Sequence, residues 1–173
     1  MVILCLLAAL IIALVAAAFV QAKRYARAGS IYYKQNVRER LLAEYARQLA
    51  AFPVPYETRE ITTRYGTVSV IGCGNNNGPP LVLFHAASVG AVSWKHNVET
   101  LSQTHRLYLI DTLGEGNRSE LKDVYSYPKT GKEVADLYKE VTEALGIQRA
   151  NIVGASYGGF ICLNYAFHYP ERV

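Results

Sequence analysis

A short glycine-rich segment, residues 154–159 (GASYGG), constrains the fold of this 173-residue chain more than any other feature. It follows an apolar run at 151–153 that predicts a strand, and it precedes an apolar run at 160–167 that predicts a helix. An apolar strand without alternation is typical of a strand buried on both faces of its sheet. A direct turn from such a strand into a helix indicates a parallel sheet covered by helices.

The same segment places a serine between glycines in the pattern Gly154-x-Ser156-x-Gly158. A turn this tight strains the serine backbone and leaves no room for side chains two residues on either side. Gly154 and Gly158 remove those side chains, and Gly159 is expected to allow close packing of the helix. The pattern predicts an exposed Ser156 hydroxyl at the carboxyl end of the strand, beside the positive end of the helix. The alternative is a glycine-rich turn that carries an ordinary surface serine.

The rest of the body alternates between strand and helix patterns. Thr130 and Glu133 form a capping box, which predicts the start of a helix that ends near Gly146. An opening antiparallel pair followed by alternating strands and helices indicates an α/β fold, with a mostly parallel sheet and helices on both faces. The predicted strands are 56–62, 67–71, 81–84, 106–110 and 151–153, and a further helix is predicted around 94–101.

Residues 2–20 form an uninterrupted apolar run. A helix of that length spans about 28 Å, close to the thickness of the hydrocarbon core of a membrane. A cleaved signal peptide is the competing interpretation, but no basic residue precedes the run. The positive-inside rule, applied to Lys23, Arg24 and Arg27, places the body in the cytoplasm. The expectation is a transmembrane anchor at 1–22 and a single-pass location in the cell membrane.

Residues 23–52 are predicted to form a basic, amphipathic juxtamembrane helix. Two interpretations remain open: the helix lies on anionic membrane lipid, or it is a spacer packed on the body that follows. Its apolar stripe recurs every four residues, at Val37, Leu41, Tyr45 and Leu49.

Charge and cysteine content exclude several classes of site. Residues 21–50 carry seven Lys or Arg and two Glu, whereas residues 51–173 carry eleven Lys or Arg and twelve Asp or Glu. The body therefore offers no support for nucleic-acid binding. Three scattered cysteines indicate neither a disulfide framework nor a zinc site. No metal and no cofactor are expected.

A second motif, His85-Ala86-Ala87-Ser88, directly follows the strand predicted at 81–84. With it, the chain from about residue 53 to the end resembles the α/β-hydrolase superfamily, close to its bacterial carboxylesterase-like members. The resemblance rests on PVPYE (53–57), PPLVLFHAAS (79–88), LIDTLGEGNRS (109–119) and NIVGASYGGFICLNYAFHYPERV (151–173).

The resemblance implies roles for several residues. Ser156 would be the nucleophile, and the backbone N–H groups of Ala87 and Tyr157 would form the oxyanion hole. His85 would support its loop through ring hydrogen bonds rather than act as the base. Ala86 stands where the family usually has glycine, and alanine fits there only if φ is negative.

The family's remaining catalytic groups follow the nucleophile in the order Asp or Glu, then His. After Ser156 this chain has one histidine, His168, and one acid, Glu171, and a helix places His168 about 18 Å from Ser156. Residues 53–173 are therefore expected to form a partial hydrolase domain, truncated after the nucleophile helix and inactive alone. The predicted function is a membrane-anchored serine hydrolase acting on small-molecule carboxylic esters. The alternative is a non-catalytic binding module on the same fold.

Overall fold

The computed structural model describes residues 10–18, 20 and 35–173. Two short 3-10 helices, Ala91–Trp94 and Pro170–Arg172, complement the regular elements. The α-helices are α1 (Gln35–Ala50), α2 (Lys95–Leu101), α3 (Gly131–Ala144) and α4 (Tyr157–His168). The strands are β1 (Tyr56–Thr63), β2 (Gly66–Gly74), β3 (Pro80–Phe84), β4 (Arg106–Ile110), β5 (Glu120–Leu121) and β6 (Asn151–Gly154).

The strands form one mixed sheet in the order β1-β2-β4-β3-β6. β1 and β2 pair in antiparallel fashion, as do β2 and β4, whereas β3 lies parallel to both β4 and β6. β5 adds a two-residue antiparallel pairing to β2. The predicted opening hairpin, followed by parallel strands joined through helices, is confirmed.

Side chains of the central strands alternate between two hydrophobic cores, because successive residues of a strand point to opposite faces. Val82 and Phe84 of β3 pack with α3 and α4, whereas Leu81 and Leu83 pack with α1 and α2. Helices therefore cover both faces of the sheet, as the sequence predicts.

Helix α1 packs on the body through only half of its predicted apolar stripe. Tyr45 and Leu49 are buried, while Val37 and Leu41 are each 41% exposed. Arg38 forms an ion pair with Glu120 of β5. These contacts fit the interpretation of a helix packed on the body, and the predicted contact with membrane lipid is not supported.

The predicted membrane anchor needs correction. A helix that spans a membrane requires about 20 consecutive, predominantly apolar residues. No helix in the part of the chain that the structure describes is long and apolar enough to cross a membrane. The predictions of a transmembrane helix at 1–22 and of a single-pass membrane location are therefore wrong. The remainder of that segment and residues 23–34 of the juxtamembrane segment lie outside the described residues.

Candidate active site

Three strands end at the same level along one edge of the sheet. The register pairs Phe84 of β3 with Ile110 of β4 on one side and with Gly154 of β6 on the other. The segments that leave these strands therefore emerge side by side, as is usual where open α/β sheets bind ligands. They begin at His85, Asp111 and Ala155.

The turn from β6 into α4 is as tight as the sequence predicts. The backbone of Ser156 adopts φ 52° and ψ −111°, a conformation that residues other than glycine rarely adopt. A Cβ at Gly154 would lie 2.1 Å from the Gly158 carbonyl oxygen, and a Cβ at Gly158 would lie 2.2 Å from that of Phe84. At Gly159 the nearest atom would be 3.6 Å away, so close packing does not require this glycine.

The strained turn leaves the Ser156 side chain exposed at the start of α4. Serine is among the preferred residues at a helix N-terminus, where its hydroxyl normally accepts a backbone N–H. Ser156 makes no such capping bond. The hydroxyl is thus available at the positive end of a 12-residue helix, where negative charge is favoured.

Two backbone N–H groups near this edge, those of Ala87 and Tyr157, have no hydrogen-bond acceptor among the described residues. Gly158 lies against the end of β3, which brings the start of α4 beside the loop that leaves this strand. An oxyanion hole needs free, preorganised donors of this kind.

The loop at residues 85–91, which contains Ala87, is fixed to the segment that follows β4. The buried His85 ring accepts the Thr112 backbone N–H at Nε2 (2.9 Å). The backbone N–H of Ser88 donates to the Glu115 carboxylate at 2.7 Å. These anchors lie on either side of Ala87.

The backbone of this loop allows an alanine at position 86, which requires a negative φ there. In the described part of the chain, Ser88 and Ser156 are the non-glycine residues with positive φ, so Ala86 has a negative φ and an alanine fits. Ser88, at φ 67°, carries the strain instead. Because its N–H is bonded to Glu115, Ser88 is not a competing oxyanion donor.

The four histidines lie in different parts of the fold. His85 is buried, and its Nδ1 lies 2.6 Å from the Ala86 carbonyl oxygen, so both ring nitrogens are engaged. His105 bonds to Thr104 beside the amino end of β4, and His96 belongs to α2. His168 is the last residue of α4, the far end of the helix that begins after Ser156.

A cluster of aromatic side chains, which no sequence motif indicates, lies beside the turn. The Tyr127 and Tyr157 hydroxyls are 2.5 Å apart, and the Tyr157 ring stacks on Phe160. Burial, and secondarily the hydrogen bond with Tyr127, raises the pKa of Tyr157. Tyr127 closes over Gly114, where a Cβ would lie 2.7 Å from its ring. No local pattern announces this cluster, because its members come from separate segments.

Metal ligands are not clustered in residues 10–18, 20 and 35–173, where no group of three or more His, Cys, Asp or Glu side chains could hold an ion. Cys73 and Cys162 are free, and burial raises the pKa of each thiol to about 11. Neither thiol is therefore activated as a nucleophile, whereas the Ser156 side chain is exposed at the tight turn.

Comparisons with known proteins agree with this architecture. The family model described as the alpha/beta hydrolase fold matches residues 79–173. The relative named uncharacterized carboxylesterase nap, from Bacillus subtilis (strain 168), is 33% identical over 129 residues, which cover 75% of this chain and 42% of that protein. Carboxylesterase YbfK of the same organism is 29% identical and covers 78% of this chain and 44% of that protein. The chain thus spans less than half the length of these curated relatives.

Solved structures give the same result. The crystal structure of naproxen esterase (carboxylesterase NP) from Bacillus subtilis superposes with a TM-score of 0.73 at 32% identity, covering 78% of this chain and 46% of that one. Carboxylesterase CesB (YbfK) from the same organism gives a TM-score of 0.75 at 29% identity, covering 79% and 47%. The shared fold, the family match over more than half of the chain and these carboxylesterase relatives together show that the chain belongs to the α/β-hydrolase superfamily.

Proposed function

We propose that this chain supplies the nucleophile half of a serine carboxylesterase whose substrates are small-molecule carboxylic esters. The observation that carries the proposal is the backbone of Ser156, strained at φ 52° in front of α4 with its hydroxyl exposed and bonded to no helix N–H. Backbone strain of this kind persists only where the surrounding structure enforces it, and strained residues are concentrated at functional sites. The carboxylesterase names of the relatives support the choice of ester over other acyl substrates.

The proposed chemistry begins when the Ser156 Oγ attacks the ester carbonyl carbon. As that bond forms, a base takes the serine proton and the carbonyl electron pair moves onto oxygen. The Ala87 and Tyr157 N–H groups donate to this oxyanion. Collapse expels the alcohol, which takes up the proton, and water then hydrolyses the acyl-enzyme by the same steps.

In this proposal the base and its orienting carboxylate come from residues other than those of this chain, because both ring nitrogens of His85 are engaged and His168 lies at the far end of α4. A hydroxyl without a base is a weak nucleophile, so the chain alone is expected to give only residual turnover.

An exposed apolar face of α4 supports the view that a larger domain completes the site. Phe160, Leu163 and Phe167 recur at helical spacing and are exposed there, with Leu163 at 74% and Phe167 at 79%. A contiguous exposed apolar patch marks an interaction surface. In this proposal the rest of the hydrolase domain covers it.

The test is turnover of a short-chain nitrophenyl ester by the whole protein that carries this chain. Ser156→Ala should lower kcat by at least about 10,000-fold, because removing the nucleophile disables the whole catalytic group. Ser102→Ala is the matched control, since this serine lies beside the amino ends of the strands, where its carbonyl accepts the Asn75 N–H. Equal turnover by wild type and Ser156→Ala would refute the proposal. Ester binding without turnover by wild type would favour a binding module.

A further inference from the structure

Helix α1 reaches the candidate active site through one side chain. Tyr45 is 5% exposed, and its hydroxyl donates to the Asp111 Oδ2 at 2.8 Å. Asp111 is the first residue after β4, at the level where the strands end. Tyr45 lies outside the residues that the family model matches, which begin at residue 79.

Asp111 also binds the 85–91 loop. Its other oxygen, Oδ1, accepts the Ala91 backbone N–H at 2.7 Å. The fit is close, because a Cβ at Gly90 would lie 3.1 Å from the Tyr45 ring and 3.3 Å from the Asp111 Oδ1. Gly90 has φ 81°, so a side chain there would also be strained.

The loop is therefore anchored at three points. His85 binds Thr112, Ser88 binds Glu115 and Ala91 binds Asp111, so that the Ala87 N–H lies between the first two anchors. The third anchor, between Ala91 and Asp111, holds the end of the loop. Helix α1 contributes to it, because Tyr45 donates to the same carboxylate.

The Asp111 carboxylate depends on the donors around it. Burial raises its pKa, whereas the hydrogen bonds from Ala91 and Tyr45 lower it. The next donor, the Arg118 N–H, is 3.4 Å away. A buried carboxylate that loses one of two short hydrogen bonds must shift, take up a proton or admit water, and each change moves its bond to Ala91.

We propose that Tyr45 is a positioning residue for the 85–91 loop, which carries the Ala87 N–H. Through Asp111 it fixes Ala91, and with it the 85–91 backbone that presents the Ala87 N–H. The inference rests on the proposed function. It adds that α1, a helix before the matched hydrolase region, completes the support of the oxyanion hole.

The test compares Tyr45→Phe with Leu49→Val in the whole protein. Tyr45→Phe keeps the ring and removes only the hydroxyl, whereas Leu49→Val loosens the same face of α1 one turn further on without touching Asp111. Tyr45→Phe should lower kcat for a short-chain nitrophenyl ester about tenfold and leave KM within about twofold, because a misplaced donor costs transition-state rather than ground-state binding. Leu49→Val should lower the melting temperature and leave kcat unchanged.

Amide hydrogen exchange at residues 85–91 separates this inference from the proposed function. Tyr45→Phe should speed exchange of the Ala91 N–H, and Leu49→Val should not. If Tyr45→Phe lowers only the melting temperature and keeps the wild-type kcat, Tyr45 has a structural role alone and the inference is overturned. If wild type turns over no ester, the proposed function fails, and unchanged exchange at Ala91 would then refute the Tyr45 contact as well.

Discussion

Helices α3 and α4 begin in opposite ways, although both start after a hydroxyl residue. Thr130 has an extended backbone and accepts the Glu133 N–H, while the Glu133 carboxylate accepts the Thr130 N–H, which completes a capping box. Ser156 has a positive φ and caps nothing. The first hydroxyl stabilises its helix, whereas the second is held in a strained position with its bonding capacity unused. The difference supports the proposal that Ser156 reacts with another molecule.

The largest expected effect on stability comes from substitutions of the glycines at the start of α4. Gly154→Ala or Gly158→Ala should each destabilise the whole protein by more than about 3 kcal/mol, because the new Cβ would meet backbone atoms that cannot move aside. Gly159→Ala, in the same helix turn, should be neutral or stabilising by up to about 1 kcal/mol. Urea unfolding of the three variants measures the difference. Equal losses for all three would show that this turn is not as tight as described.

A smaller effect of opposite sign should separate the two helix starts. Thr130→Ala should cost about 1 kcal/mol of unfolding free energy, since it removes a cap, and should leave ester turnover intact. Ser156→Gly should raise the unfolding free energy by about 1 kcal/mol, since glycine tolerates a positive φ, and should abolish turnover. Thermal or urea unfolding combined with the ester assay checks both. A loss of stability in Ser156→Gly would contradict the claim of backbone strain.

Local patterns sufficed for the main elements of the fold. The apolar runs at 81–84 and 106–110 became β3 and β4 with at most one residue of difference, and the capping box marked the start of α3. The glycine spacing around Ser156 also predicted the turn, because a steric requirement of the backbone shows directly in residue type.

Other features depend on contacts that no local pattern encodes. β5 has only two residues, too few to show a period, and it exists because β2 pairs with it. The periodic stripe on α1 could not reveal that Tyr45 and Leu49 are buried while Val37 and Leu41 remain exposed. The Ser88–Glu115 bond joins residues 27 positions apart, so it could not be read from either segment. The apolar run near the start has the hydropathy of a membrane span, but no helix of the described residues is long and apolar enough to cross a membrane.

The central claim is that Ser156 is the nucleophile, and covalent labelling tests it most directly. A fluorophosphonate probe reacts with an activated serine, so the whole protein should carry one adduct, and peptide mass spectrometry should place it on Ser156. The Ser102→Ala variant should label like wild type, and Ser156→Ala should not label. An adduct on another residue of wild type, or labelling that persists in Ser156→Ala, would contradict the account.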